Sequence, residues 1–222
     1  MEKMENPEEF VTGVSEAKLI GIVRGSSGKF AADAALALME EGFRYVEVAL
    51  TTPDALAAIT EIRAKAPAGS FVGAGTVLTV QNVNDVVAAG GQFIVTPAIC
   101  EAVAEGVRQG LPVVAGALTP SEINAGMIQG ATLIKLFPAS SGGPKYLKAL
   151  RDPFPLVPFI AVGGVGLNEA QEYWNIGALA VGPGGPLVGD AASVGGDLGP
   201  LRQRAREYLA TASRFTENSR LS

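Results

Sequence analysis

The sequence predicts an α/β fold of the (β/α)8 TIM barrel type with an extra N-terminal helix, built as a single domain over residues 1–222. Three observations carry this reading. Eight short β-branched runs alternate with helical stretches, in units of roughly 19–26 residues and with no linker between them. The 222 residues, 48% hydrophobic and 18% charged, suffice for one sizeable core, and barrels of this kind start near ~200 residues. The rival architecture is a doubly wound open sheet. It lacks its fingerprint here, since Gly73-Ala74-Gly75 has no third glycine to complete G-x-G-x-x-G.

The elements follow in order. ENPEEFVTGVSEA predicts the helix ahead of the barrel, starting at Asn6-Pro7. Strands are predicted at LIGIVR (19–24), YVEVAL (45–50), FVGAGTV (71–77) and FIVTPA (93–98), then at PVVAGAL (112–118), LIKLFPA (133–139), FIAVGGV (159–165) and ALAVGP (178–183). Between them, stretches such as AADAALALMEEG and AVAEGVRQG carry apolar residues at helical spacing with charge on the other side. Gly42, Gly90 and Gly110 stand where helices should stop, because glycine accepts the left-handed turn that ends them. Thr52-Pro53 and Thr119-Pro120 each suit a helix N-cap followed by the first helical residue, and Thr119 with Glu122 spells a capping box. RQRAREYLATASRF predicts the last helix, with TENSRLS as a frayed tail.

Composition narrows the chemistry. The net charge of −5 argues against nucleic acid as a partner, which demands clustered Lys and Arg. MEKMENPEEF is acidic and has no apolar centre, so no signal peptide is expected, and no apolar run approaches the ~18 residues of a membrane span. The single cysteine, Cys100, cannot form an internal disulfide, which fits a reducing compartment; a cytoplasmic protein without membrane contact is expected. There is no histidine, which excludes Ser-His-Asp and Cys-His catalysis and argues against a zinc or other metal site. No cofactor is called for. Chemistry must come from carboxylates, lysine, tyrosine, hydroxyls or backbone amides.

In a barrel the C-terminal ends of the strands build the active site. On that rim the sequence places Arg24, Glu47, Thr76, Thr96, Lys135, Gly163-Gly164 and Gly182-Pro183-Gly184-Gly185. Lys135 is the unexpected one, since Leu133, Ile134, Leu136 and Phe137 surround it in a strand that should be buried. Alternation puts it on the same face as Leu133 and Phe137. A hydrated lysine is only about one part in 2,500 neutral at pH 7. Dehydration and a nearby cation such as Arg24 raise that fraction, and a neutral amine attacks ketones to form a Schiff base, an electron sink that needs no metal. Glu47, equally out of place in VEVAL, is positioned to shuttle protons beside that amine. The competing account is a Glu47–Lys135 ion pair that only neutralises two buried charges, a device that seldom repays its desolvation.

The remaining candidates each have a plainer alternative. Arg24 offers a rigid fork for a carboxylate, or is a helix-capping surface arginine. Thr76 and Thr96 present hydroxyls to a substrate oxygen, or cap helices, the capping role being favoured for Thr96. Phe137 packs against a substrate methyl or fills the core. Gly163, Gly164, Gly182, Gly184 and Gly185 expose amides where barrels often hold phosphate, while Gly73 and Gly75 serve close packing.

GIVRG, VEVALTTP, VGAGTVL, IVTP, IKLFPAS with GGPKYLKAL, and AVGGV together resemble the KDPG/KHG aldolase family, in order and spacing from about residue 17 to 210. The resemblance implies a trimeric (β/α)8 barrel and a class I aldolase. Such enzymes cleave 2-keto-3-deoxy-6-phosphogluconate, its galactonate epimer or 4-hydroxy-2-oxoglutarate to release pyruvate. It implies Lys135 as the Schiff-base residue, Glu47 as the proton shuttle, Thr76 as the threonine of the G-A-G-T motif, and Gly163, Gly164 and Gly184 as phosphate binders. Two departures stand out. Some members carry arginine four residues after the glutamate, where this chain has Thr51, so the carboxylate role passes to Arg24. The strand-8 loop usually reads G-x-G-S, and here Gly185 removes the hydroxyl donor. A non-phosphorylated keto acid, or a non-catalytic barrel that binds a phosphorylated ligand, are the alternatives.

Overall fold

The computed structural model describes residues 6–221, with side chains to residue 218. Helix α1 (Pro7–Ala17) starts as expected: the Asn6 side chain accepts from the Glu8 and Glu9 amides, and Glu9 reaches back to the Asn6 amide. Then β1 (Gly21–Val23), α2 (Gly28–Glu41), β2 (Tyr45–Ala49), α3 (Ala55–Lys65), β3 (Phe71–Gly75), α4 (Val80–Ala88), β4 (Ile94–Val95) and α5 (Glu101–Arg108) follow. The second half holds β5 (Val113–Ala117), α6 (Pro120–Ile128), β6 (Leu133–Leu136), a 3-10 turn (Ala139–Ser141), α7 (Gly143–Arg151), β7 (Phe159–Val162), α8 (Leu167–Asn175), β8 (Ala180–Gly182), α9 (Gly185–Val188) and α10 (Leu198–Leu221). No helix among the described residues is long and apolar enough to cross a membrane.

The strands lie in sequence order, each parallel to the next, and pairing of Leu19 with Val181 brings the first and last together. Ile20 and Ile22 amides donate to the Val181 and Pro183 carbonyls, both at 3.1 Å, completing a (β/α)8 barrel. Alternation along each strand then makes two cores. Val46, Val48, Ile94, Ile134, Leu136 and Ala161 point outward to the helices, while Ile20, Tyr45, Phe71, Phe93, Val95, Val114, Leu133 and Ile160 fill the interior. The interior is stoppered at its N-terminal end by α1. Phe10 sits 5.2 Å from the Tyr45 ring and 5.1 Å from the Phe93 ring, with Phe71 stacked on Tyr45.

Several local expectations change. The first Thr-Pro pair caps no helix: α3 begins two residues later, after Asp54 in the left-handed region. Thr52 instead is buried and accepts from the Gly25 amide at 3.0 Å, tying the loop after β2 to the loop after β1. Thr96 caps nothing either, since Cys100 takes the N-cap of α5. Its buried hydroxyl donates to the Ala98 carbonyl at 2.7 Å and accepts from the Gly116 amide at 3.2 Å, which joins the ends of β4 and β5 and occupies the hydroxyl. The tail does not fray, because α10 continues through it to Leu221. The capping box at Thr119 and Glu122 forms as read, and Gly42, Gly90 and Gly110 all take positive φ at helix ends. Replacing Phe10 by Ala should cost about 3–5 kcal/mol of stability, because it opens a hole at the centre of the aromatic stopper. Urea unfolding monitored by far-UV circular dichroism measures this, and a loss under ~1 kcal/mol would show the stopper to be dispensable.

Candidate active site

Lys135 and Glu47 occupy inward positions one step above the interior core. In β6 the inward series is Leu133, Lys135, Phe137; in β2 it is Tyr45, Glu47, Ala49. Both charged side chains are buried, Lys135 at 6% exposure and Glu47 at 3%. Yet among the described residues no ion pair within 4.0 Å joins them, and the competing account of a neutralising salt bridge fails. Burial pushes the Glu47 carboxyl above its ordinary range, opposed by the positive charges of Lys135 and Arg24. All three groups therefore share one electrostatic neighbourhood. The Lys135 ammonium position lies 4.8 Å from the centre of the Phe137 ring, so Phe137 forms one wall beside the amine.

Room for the carboxylate comes from the neighbouring strand. A methyl group on Gly75 would collide with Glu47 Oε1 and stand 2.9 Å from its Cδ, so β3 must carry glycine there for Glu47 to hold this position. Sequence reasoning assigned Gly75 to packing only. That is right for Gly73, whose place is taken up by the Phe93 ring at 2.6 Å. What distinguishes Gly75, which pairs with Ala49, is the Glu47 side chain reaching over it from the preceding step of β2, a contact that a single strand does not reveal.

Thr76 follows at the end of β3 with φ 60, a left-handed conformation that β-branched residues seldom adopt. It caps no helix, Thr79 having that role for α4, and its hydroxyl has no hydrogen-bond partner among the described residues. A strained residue with an unused donor at the barrel mouth fits a substrate contact. Arg24, exposed at the end of β1, donates from Nε to Thr51 Oγ1 at 3.0 Å. Thr51, read from sequence as an absent arginine, thus steadies the guanidinium and leaves its two terminal nitrogens for a ligand. Pairing between side chains on different loops was invisible along the chain.

Gly163 and Gly164 follow β7 with φ 96 and 74, and Gly184 and Gly185 open α9 after β8. The amides of all four donate to no protein acceptor among the described residues. Pro183 and Pro186, which have no N–H, flank the Gly184–Gly185 pair. Gly182 is different: it points into the barrel against Val162 and Ile22 and serves packing. Arg204 of α10 donates to the Leu187 and Val188 carbonyls at 2.7 and 2.9 Å and clamps the end of α9 from behind. At the opposite end of the barrel, a cavity of about 460 Å³ is lined by Glu8, Glu9, Thr12, Gly13, Glu16 and Arg44. Its three carboxylates make it a poor host for an anion. Among the described residues no group of three His, Cys, Asp or Glu is placed to hold a metal ion.

The chain as a whole is similar to known proteins. The family profile described as KDPG and KHG aldolase matches residues 11–199. A probable 2-dehydro-3-deoxy-6-phosphogalactonate aldolase of Rhizobium meliloti is 36% identical over 197 residues, covering 88% of this chain and 91% of its own. A solved structure described as native KDPGal superposes with a TM-score of 0.83 at 31% identity, over 90% of this chain and 96% of its own. KDPG aldolase from Legionella pneumophila, with pyruvate captured at low pH as a covalent carbinolamine intermediate, superposes with a TM-score of 0.78 at 27% identity, over 95% and 98%. The chain belongs to the KDPG and KHG aldolase family and is an aldolase, a carbon–carbon lyase.

Proposed function

We propose that this aldolase is a class I, Schiff-base enzyme that cleaves 2-keto-3-deoxy-6-phospho-sugar acids to pyruvate and glyceraldehyde 3-phosphate. The observation that carries it is the buried Lys135 beside an unpaired, buried Glu47. Two buried groups of opposite charge type kept apart in a barrel have no structural use and a clear chemical one. Lys135 Nζ attacks the C2 ketone, and loss of water from the carbinolamine gives an iminium. Glu47, through a water, takes the C4 hydroxyl proton as the C3–C4 bond breaks. The electron pair of that bond moves into the iminium to give an enamine, and the aldehyde departs. Protonation at C3 followed by hydrolysis releases pyruvate and frees the amine. Arg24 holds the carboxylate with its terminal nitrogens, Thr76 donates to a substrate oxygen, and Phe137 packs against the methyl-bearing end. Gly163, Gly164, Gly184 and Gly185 offer their free amides to the phosphate.

The second reading is a non-phosphorylated 2-keto acid such as 4-hydroxy-2-oxoglutarate. The observation in its favour is the hydroxyl-free loop after β8, where Gly184 and Gly185 contribute amides alone. For the assembled state we carry a cytoplasmic homotrimer, on the family resemblance.

Borohydride reduction in the presence of pyruvate should add a reduced pyruvyl mass to the tryptic peptide that contains Lys135. Labelling that persists in Lys135→Ala would place the nucleophile elsewhere and defeat the mechanism. Glu47→Gln should keep Schiff-base trapping while turnover drops roughly 10²–10⁴-fold, the usual worth of a positioned acid/base. The same variant gives a stability test. A carboxyl whose folded pKa is raised by burial favours folding below its unfolded value and loses that contribution as pH rises through the folded one. Glu47→Gln should therefore flatten the fall of thermal stability with rising pH; wild-type turnover and an unchanged pH slope would make Glu47 a bystander. Sedimentation velocity at micromolar concentration should give three times the 22.7 kDa chain mass, and a monomer would contradict the homotrimer.

A further inference from the structure

Ser140 lies in the 3-10 turn directly after the Lys135 strand, and the proposed function gives it no part. Its amide donates to the Gly163 carbonyl at 3.0 Å, which pins this turn against the end of β7. A Cβ at Gly164 would stand 2.8 Å from Ser140 Cβ and 3.1 Å from its Oγ, so the hydroxyl borders the Gly163–Gly164 turn directly. Ser140 is exposed, and its hydroxyl has no hydrogen-bond partner among the described residues.

The path from the nucleophile to this hydroxyl is continuous. Lys135 Nζ lies over the Phe137 ring, and the Phe137 ring edge comes within 3.1 Å of where a Cβ on Gly163 would be. Gly163 leads to Gly164, and Gly164 to Ser140. A substrate tied to Lys135 through C2 and extended along this wall carries its far end past Phe137. There it meets the unpaired Gly163 and Gly164 amides and one free hydroxyl, all donors, with no carboxylate among them. Such a set suits an oxyanion with several acceptor oxygens, a phosphate monoester.

We propose that Ser140 is a specificity-determining residue, its hydroxyl donating to the terminal phosphate of the substrate from the β6 side, opposite the all-amide loop after β8. This rests on the phosphorylated reading of the proposed function. A hydrogen bond to a charged group, if lost, lowers affinity by about 10- to 150-fold. The effect belongs in KM, because the phosphate takes no part in bond cleavage.

The experiment compares kcat/KM for the 6-phosphorylated keto acid and its unphosphorylated analogue in wild type, Ser140→Ala and Ser140→Thr. The expected result is a wild-type ratio well above one that falls about 10-fold or more in Ser140→Ala, through KM, and recovers in Ser140→Thr. Inorganic phosphate, as a competitive inhibitor, should weaken in parallel. A wild-type ratio above one that Ser140→Ala leaves unmoved overturns the role of Ser140 alone, as does an equal loss on both substrates, which would mark a structural effect. A wild-type ratio near one overturns the phosphorylated reading itself, and this inference with it.

Discussion

Two charged side chains held apart inside a barrel set the terms for everything around them. Neither Lys135 nor Glu47 has an ion-pair partner within 4.0 Å among the described residues, and both are nearly inaccessible. Burying such groups costs several kcal/mol each unless the surroundings compensate. The surroundings compensate at long range: Lys135 and Arg24 act on Glu47 through space, while burial holds the carboxyl above its ordinary range. A tight salt bridge would be the cheaper arrangement and would occupy both groups. Held apart, neither side chain is occupied by the other.

This arrangement needs a rigid frame, and the barrel supplies it. The stopper of Phe10, Tyr45, Phe71 and Phe93 fills the N-terminal half of the interior, and Lys135 and Glu47 lie beyond it toward the C-terminal rim. Glycine at position 75 then admits the Glu47 carboxylate from the adjacent strand. The loops are held by small polar links. Thr52 joins the loops after β1 and β2, Thr96 joins the ends of β4 and β5, and Arg204 grips the end of α9. Each link satisfies backbone groups that would otherwise be unpaired, so the rim is ordered before any ligand arrives.

The two ends of the barrel carry different groups. The C-terminal rim carries Arg24 and the free amides of the β7 and β8 loops, together with the Glu101, Glu122 and Glu169 carboxylates, which bond loop amides. The other end of the barrel offers three glutamates and Arg44. The Glu47 carboxyl, unlike these, is set deep rather than at an entrance.

Most of the fold was legible along the chain because its signals are local. The period-2 runs marked all eight strands, Asn6-Pro7 and Thr119-Pro120 marked helix starts, and alternation assigned Lys135 to the face of Leu133 and Phe137. The out-of-place charges in LIKLF and VEVAL marked Lys135 and Glu47 as candidates, and both are buried at inward positions. The same local signals misled at Thr52-Pro53 and Thr96, where a hydroxyl had a choice of partners and a loop brought from elsewhere in the chain won. What Gly75, Thr51 and Ser140 do was decided by tertiary structure alone. Each acts on a residue of another strand or loop, Glu47, Arg24 and the Gly163–Gly164 turn, and only closure of the barrel brings them within reach. Periodicity states which way a side chain points, whereas the neighbour it meets there is set by register between strands, and register is a property of the closed sheet.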